Sequence, residues 1–129
     1  MTADLHILHI FSTFKVGGPQ VRFAELAKGC GNRFSHTVVA MDGNYAAAQF
    51  LPPDVDITLG GLPAVGGSLM GRLSRYRRGI AAQAADLLVT YNWGAIEWAL
   101  ANLTMGAAHI HVEDGFGPEE AERQLPRRV

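Results

Sequence analysis

Short apolar runs alternate with longer amphipathic segments along the whole chain. Apolar runs of this length favour buried parallel strands. Five of them occur, at residues 5–10, 36–40, 55–59, 86–91 and 108–112. The sequence therefore predicts five strands separated by helices and loops.

The first amphipathic segment predicts a helix after the first strand. Its apolar side chains recur at i, i+3, i+4 and i+7, which is the spacing of one helix face. They are Phe23, Leu26, Ala27 and Cys30. Pro19 suits the first turn, where its missing N–H is not needed, and Gly29, Gly31 and Asn32 supply a stop. We expect Cys30 to be a thiol buried in the core.

Two further helices are predicted in the same way, and a fourth begins near the end of the chain. Ser68 suits the cap of the second helix. The apolar stripe of that helix is Leu69, Leu73, Tyr76 and Ile80. The third helix is predicted at residues 96–103, with Gly106 as its stop, and the last within residues 117–125. A short helical turn is expected within residues 41–54.

The alternation of strand and helix predicts right-handed crossovers between parallel strands. We therefore expect an α/β fold: a doubly wound, mostly parallel, Rossmann-like sheet of about five strands in the order 3-2-1-4-5. Residues 1–129 form a single domain in this prediction. The chain stops just after its last helix has begun, so we expect a truncated part of a longer protein.

Composition supports a folded domain and gives no reason to expect a nucleic-acid partner. Of the 129 residues, 48% are hydrophobic and 18% are charged, as in globular rather than disordered chains. The net charge is −1, whereas nucleic-acid binders usually carry a basic face. A single cysteine excludes an intramolecular disulfide framework and fits a reducing compartment.

The N-terminus carries Asp4 and no basic region, so we read no signal peptide. No apolar run approaches the roughly 20 residues of a membrane span. We therefore expect a cytoplasmic location. Four arginines of the second helix form either a solvated face or a peripheral contact with anionic lipid headgroups at the inner membrane face. They are Arg72, Arg75, Arg77 and Arg78.

The predicted topology locates a ligand crevice. In open parallel sheets, ligands bind beyond the carboxyl ends of the strands, where the strand order reverses. The order 3-2-1-4-5 puts that crevice between the first and fourth strands. Three loops should line it, at residues 12–18, 92–94 and 113–117.

The first of these loops combines glycines with the start of a helix. Gly17 and Gly18 would let the backbone approach a ligand, and a helix N-terminus favours phosphate or another anion. Lys15 either contacts that anion or is solvated. The loop has neither the Gly-Lys-Ser/Thr of a Walker A motif nor the G-x-G-x-x-G pattern. A turn that simply requires glycine is therefore an alternative.

The loops after the fourth and fifth strands carry polar side chains. Asn92 is a candidate for bonding a polar ligand and Trp93 for stacking on a sugar face, and a capping asparagine with a packed tryptophan is the alternative. Glu113 and Asp114 are the candidate catalytic residues. A carboxylate at such a crevice can accept hydrogen bonds from sugar hydroxyls or act as a base.

The fifth strand should present His109, His111 and Glu113 on one face, because side chains alternate along a strand. Two histidines and a carboxylate can ligate zinc, which would suit a small metal-dependent hydrolase that uses His109, His111 and Asp114. Hydrogen-bonded core or edge histidines are the interpretation that we prefer.

Three segments together resemble family 4 glycosyltransferases, which are retaining sugar transferases of the GT-B architecture. Residues 5–27, LHILHIFSTFKVGGPQVRFAELA, resemble their opening strand, Gly-Gly loop and helix with an E-L-A-like segment. Residues 86–101, DLLVTYNWGAIEWALA, resemble the fourth strand and the helix after it. Residues 109–128, HIHVEDGFGPEEAERQLPRR, resemble the fifth strand and loop in one bacterial group.

The resemblance implies that this chain is the N-terminal, acceptor-side domain, with the donor-binding domain absent. Gly17 and Gly18 would approach the donor diphosphate and the acceptor, and Glu113 would stand where many relatives have a histidine, with His111 nearby. The family's C-terminal domain carries two glutamates with seven residues between them, and this chain has no such pair. The usual Gly-Gly-Ala/Thr-Glu is Gly-Gly-Pro-Gln here, so Pro19 removes one N–H from the anion site.

For the intact enzyme, the resemblance implies hexosyl transfer from a nucleotide-diphospho-sugar to a glycan or lipid-linked acceptor in cell-envelope polysaccharide synthesis. It implies no bound metal or other cofactor, and no activity for this domain alone. An apolar face left by a missing domain would favour homo-oligomers. The alternative from a different class is a stand-alone phosphate- or nucleotide-binding regulatory module with a flavodoxin-like sheet.

Overall fold

Strands and helices alternate through residues 5–60, 68–92 and 95–113, which are the residues that the computed structural model describes. The strands are β1 (Leu5–Phe11), β2 (Phe34–Ala40), β3 (Ile57–Leu59), β4 (Leu87–Tyr91) and β5 (Ala108–Val112). The α-helices are α1 (Gly18–Cys30), α2 (Leu69–Gln83) and α3 (Ile96–Asn102). Two short 3-10 helices span Gly31–Arg33 and Ala46–Phe50.

The strands form one parallel sheet in the order β3-β2-β1-β4-β5. This confirms the α/β, Rossmann-like fold and the strand order predicted from the sequence. Phe11 of β1 is in register with Ala40 of β2 and with Tyr91 of β4, and Tyr91 is in register with Val112 of β5. Four strands therefore end at the same level.

The core lies on both faces of the sheet, because alternate side chains of each strand point to opposite sides. On the α1 face, strand residues pack with the loop and helix that follow β1. This cluster comprises Phe11, Phe14, Phe23, Ala27, Val38, Ala40 and Ala47. On the α2–α3 face, Tyr76 of α2 stacks on Trp98 of α3 with ring centroids 4.4 Å apart, above Leu8, Ile10 and Leu88.

The helix ends follow the predicted signals. The Ser68 hydroxyl accepts a hydrogen bond from the N–H of Gly71 at 3.1 Å and so caps α2. Gly31 ends α1 with a φ of 61°, in the left-handed region that suits glycine. Gly106 has a φ of 70° in the turn after α3. The predicted helix within residues 117–125 lies outside the described residues.

Some boundaries and burial predictions were wrong. The third strand begins at Ile57 rather than at residue 55, and Val55 is buried in the turn before it. Leu69 lies in the first turn of α2, where it is 46% exposed instead of packing in the core.

The buried side of α1 is also narrower than its sequence spacing predicted. Leu26 is 62% exposed and Cys30 is half-buried, so Cys30 is not a core thiol. Leu26 and Cys30 are four residues apart and so lie on one flank of the helix. That flank borders an open apolar cavity, while Phe23 and Ala27 face the sheet.

Among the described residues, no helix is long and apolar enough to cross a membrane. One of the four arginines considered for lipid contact is used within the fold. Arg72 of α2 forms an ion pair with Glu97 of α3 at 2.9 Å.

Candidate functional site

The carboxyl edge of the sheet brings together the first residues of the three predicted loops. Ser12, Asn92 and Glu113 each follow a residue of the Phe11–Tyr91–Val112 register. The N–H of Asn92 donates to the carbonyl of Val112 at 2.7 Å. Because neighbouring strands lie about 4.8 Å apart, the three loop starts stand within about 10 Å of one another. The strand order therefore brings together the loop starts that were predicted to line a crevice.

The loop after β1 favours glycine at one of its two positions. Gly17 has extended backbone, with a φ of −171°, but a Cβ there would lie 2.9 Å from Oε1 of Gln20. Gln20 is buried, and its Nε2 donates to the carbonyl of Thr13 at 2.9 Å. A Cβ on Gly18 would have only Arg22 Nη2 nearby, at 4.0 Å. Gly17 thus leaves room for the Gln20 side chain, whose hydrogen bond to Thr13 holds the loop. Gly18 leaves its backbone exposed.

The start of α1 retains the features of an anion site. No side chain caps the helix, and its first turn has no acidic residue. The N-terminal N–H groups therefore keep the partial positive charge that favours an anion. Lys15 is exposed in the same loop. Burial alone would raise the pKa of Asp42, but a hydrogen bond from the N–H of Asn44 lowers it. The positive charge of Lys15 adds to this lowering.

At the end of β4, Asn92 is half-buried and has a φ of 64°. Asparagine tolerates this left-handed conformation better than most residues, because its short polar side chain can bond locally. The residue therefore turns the chain sharply out of the sheet. Trp93, predicted to stack on a sugar, lies outside the described residues, as does Asp114.

The end of β5 places Glu113 in a chain of hydrogen bonds. Nε2 of His111 lies 3.0 Å from Oε1 of Glu113. Nδ1 of His111 lies 2.7 Å from Oγ1 of Thr90, and Nε2 of His109 lies 2.8 Å from the same hydroxyl oxygen. The predicted common face of His109, His111 and Glu113 is confirmed, and both histidines are hydrogen-bonded as preferred.

The direction of donation along these hydrogen bonds follows from which groups can act as donors. A carboxylate only accepts, so Nε2 of His111 carries a proton and donates to Glu113. When His111 is neutral, its Nδ1 accepts from the Thr90 hydroxyl, which in turn accepts from Nε2 of His109. Burial, followed by the neighbouring His111, lowers the pKa of His109 and keeps its imidazole neutral. The chain thus fixes the side chain of Glu113 at the crevice.

Three residues of this edge escaped the sequence analysis. Thr90 looks like one more residue of an apolar strand, and only the β4–β5 register shows that it lies opposite His111. Gln20 looks like a polar helix position. Asp42 is the second residue after β2, and its N–H donates to the carbonyl of Ser12 at 3.1 Å. The rule that carboxyl-terminal loop residues carry function could have found Asp42.

Within the described ranges, no three histidine, cysteine, aspartate or glutamate side chains are grouped so as to hold a metal ion. Both candidate histidines use one ring nitrogen on Thr90. The hydrolase alternative also needs Asp114, outside those ranges, and it stays a prediction for metal analysis.

Comparison with known proteins shows the fold but no family. No protein-family model matches the chain, and no curated protein does. Solved structures do match, and three of them are each 19% identical to this chain. One is a Listeria monocytogenes protein assigned as a UDP-N-acetylglucosamine 2-epimerase, with a TM-score of 0.56 over 88% of this chain and 32% of its own. Another is S. aureus MnaA in complex with UDP, with a TM-score of 0.57 over 94% of this chain and 36% of its own.

The third is a UDP-N-acetylglucosamine 2-epimerase, with a TM-score of 0.57 over 95% of this chain and 36% of its own. None of the three is described as a glycosyltransferase, so the resemblance to family 4 stays a prediction. This chain spans about a third of the length of each. At this level of identity, what it shares with UDP-sugar-processing proteins is a Rossmann-like fold.

Proposed function

We propose that this chain is the acceptor-side half of a GT-B-type enzyme that processes a nucleotide-diphospho-sugar. The specific reaction that we propose is transfer of the sugar to a glycan or lipid-linked acceptor. The observation that carries the proposal is that the loops beginning at Ser12, Asn92 and Glu113 start side by side at one carboxyl edge, where the strand order reverses between β1 and β4. Lys15 belongs to the first of these loops, and Gly18 begins the helix that follows it.

The proposed site has a positive side and an acidic side. Gly18, the uncapped start of α1 and Lys15 form a positive side, suited to the leaving diphosphate. Glu113, oriented by His111, forms an acidic side that can accept hydrogen bonds from sugar hydroxyls. Trp93 and Asp114 complete the proposed site. A partner domain across the cleft would hold most of the nucleotide.

A second candidate is one half of a nucleotide-sugar epimerase. The fold likeness to two structures described as UDP-N-acetylglucosamine 2-epimerases favours it. In that case Glu113 and His111 would act on a carbon of the donor sugar itself, without an acceptor. The regulatory module with a flavodoxin-like sheet is the third candidate, and it requires no second domain.

The first experiment is to read the coding DNA beyond the Val129 codon and to purify the protein of the complete reading frame. We expect a second β/α domain, and release of UDP or another nucleoside diphosphate from a nucleotide-sugar only when an acceptor is added. Inversion of the sugar at C2 without an acceptor would assign the epimerase instead. A stop codon at that point, with no neighbouring gene that supplies such a domain, would overturn both enzyme proposals.

Two variants of the complete protein test the site. Glu113→Gln keeps the size of the side chain but loses the charge, and Gly18→Ala adds a methyl group to exposed backbone. We expect each to lower kcat/KM by about tenfold or more, because charge-assisted contacts and close backbone approach are lost. Glu25→Gln, on the exposed side of α1, is the matched control and should leave kcat/KM unchanged. Unchanged activity in Glu113→Gln would contradict the assignment of that residue.

A further inference from the structure

An open cavity of about 170 Å³ lies on the α1 face, between α1 and the sheet. Its apolar wall is formed by Ile7, Phe23, Leu26, Ala27 and Phe34. The half-buried thiol of Cys30 also lines it. For scale, an enclosed apolar cavity on the order of 150 Å³ accepts benzene. The volume of this open cavity therefore matches one aromatic ring.

Three polar side chains line the same cavity and are connected to one another. Nδ1 of His9 lies 2.9 Å from the hydroxyl of Tyr91, and Nε2 of His9 lies 2.9 Å from Nδ1 of His36. His9 and His36 are 5% and 4% exposed. The row ends at Nε2 of His36, which is buried and has no hydrogen-bond partner among the described residues.

Such an atom needs an explanation, because a buried polar group without a partner costs about 1–3 kcal/mol. A single ordered water would find only this one unsatisfied nitrogen among the described lining atoms, whereas a well-held water has two to four polar partners. The other imidazole and hydroxyl groups along the wall already bond to one another. A ligand that is apolar overall and carries one hydrogen-bonding group satisfies both the wall and this nitrogen.

The row of hydrogen bonds also limits the chemistry of that group. If Tyr91 donates to His9, then His9 donates to His36, and Nε2 of His36 is left as a donor. If the row runs the other way, Nε2 of His36 is left as an acceptor. A hydroxyl group can both donate and accept, so it matches either state. Burial lowers the pKa of both His9 and His36, so two neutral imidazoles offer no positive charge to an anion.

We propose that this cavity is a binding site for a small uncharged alcohol of the size of phenol, whose hydroxyl bonds to Nε2 of His36. The apolar ring would lie against Phe23, Leu26 and Phe34. The site is distinct from the proposed sugar site, which lies beyond the carboxyl ends of the strands. Tyr91, directly before Asn92, is the residue that connects the two.

The test uses the chain labelled with ¹⁵N in its histidine rings and titrated with phenol, toluene and benzoate. We expect saturable phenol binding, with a shift of the Nε2 resonance of His36 that toluene does not produce. Benzoate should bind more weakly than phenol, because the cavity would have to desolvate its charge. Absence of saturable phenol binding at millimolar concentrations, or a preference for benzoate, would overturn the proposal.

Two variants separate the hydrogen bond from the cavity. In His36→Phe, the ratio of phenol to toluene affinity should fall roughly threefold to tenfold, the value of one neutral hydrogen bond. An unchanged ratio would show that phenol does not bond to His36. Cys30→Phe fills the cavity from a half-buried position and should abolish binding of both ligands, and it keeps the proposal testable if His36→Phe does not fold. Leu103→Ser, at a position that is 79% exposed, is the control and should bind as the wild type does.

Discussion

Arg72 of α2 holds both carboxylate oxygens of Glu97 in α3, with Nε to Oε1 and Nη2 to Oε2 distances of 2.9 Å each. A parallel pair of this kind fixes geometry as well as charge. It joins the two helices that cover one face of the sheet, next to the stacked rings of Tyr76 and Trp98. The hydrogen bonds from Arg72 lower the pKa of Glu97 against the opposing effect of burial.

The first prediction concerns the pH dependence of this ion pair. Because the pKa of Glu97 is lower in the folded than in the unfolded chain, the pair stabilises the fold fully above the usual glutamate pKa. That stability is lost as the pH falls through the lowered value. Urea unfolding should therefore find Glu97→Gln less stable than wild type at pH 7, with the gap closing in acid. The control Glu25→Gln should show no gap, and a gap that persists in acid would contradict the assignment.

The second prediction separates the two glycines after β1. Gly17→Ala puts a methyl group 2.9 Å from Oε1 of Gln20, so the end of that buried side chain must shift, which weakens its hydrogen bond to Thr13. We expect a loss of about 1 kcal/mol in the free energy of unfolding. Gly18→Ala is the matched control, since its methyl group meets nothing closer than 4.0 Å, and it should not lower stability. Equal losses in both variants would disprove the role of Gln20.

The sheet order could be predicted because the hydrophobic periodicity and the helix-end residues agree along the chain. Each apolar run is short, and Ser68, Gly31 and Gly106 mark helix ends that the structure retains. The burial of single side chains was harder to predict. Leu26 has the right spacing for the core of α1 but lies on a flank, because helix position relative to the sheet depends on packing across many residues.

The candidate site was predicted from the rule that function concentrates in the loops after strands. Lys15, Gly18, Asn92 and Glu113 were proposed on that ground, and their roles stay predictions. The partners that orient them were not proposed, because they depend on register and on contacts between distant residues. Thr90 meets His111 across 21 positions of sequence, and His9 meets Tyr91 across 82. A single sequence carries no local signal for such pairs.

The third prediction concerns the buried histidine of β1. Burial, then the neighbouring His36 and His6, lowers the pKa of His9 to about 3. The unfolded chain binds a proton near pH 6.5, so the free energy of unfolding should rise with pH between about 3 and 6.5 and then level off for this group. His9→Gln should reduce that slope by up to about 1.4 kcal/mol per pH unit.

The control for this slope is Tyr91→Phe, which removes a hydrogen-bond partner of His9 but keeps the imidazole. It should lower stability at every pH and retain most of the slope. His36 and His109 also have lowered pKa values, so part of the slope should remain in His9→Gln. An identical slope in wild type and His9→Gln would show that His9 is not buried in its neutral form.

The last prediction concerns Thr90, whose side chain is fully buried and whose hydroxyl bonds to both histidines of β5. Thr90→Val keeps the shape of the side chain but leaves two imidazole nitrogens without this partner. We expect a loss of about 1–3 kcal/mol in the free energy of unfolding. We also expect the ring ¹⁵N signals of His111 to change, because its Nδ1 no longer accepts a hydrogen bond from Thr90. The matched control is Thr58→Val on the exposed side of β3, which should leave both readouts near wild type. If Thr90→Val leaves the His111 ring signals unchanged, Thr90 does not set the orientation of His111, and Glu113 is held at the crevice by other contacts.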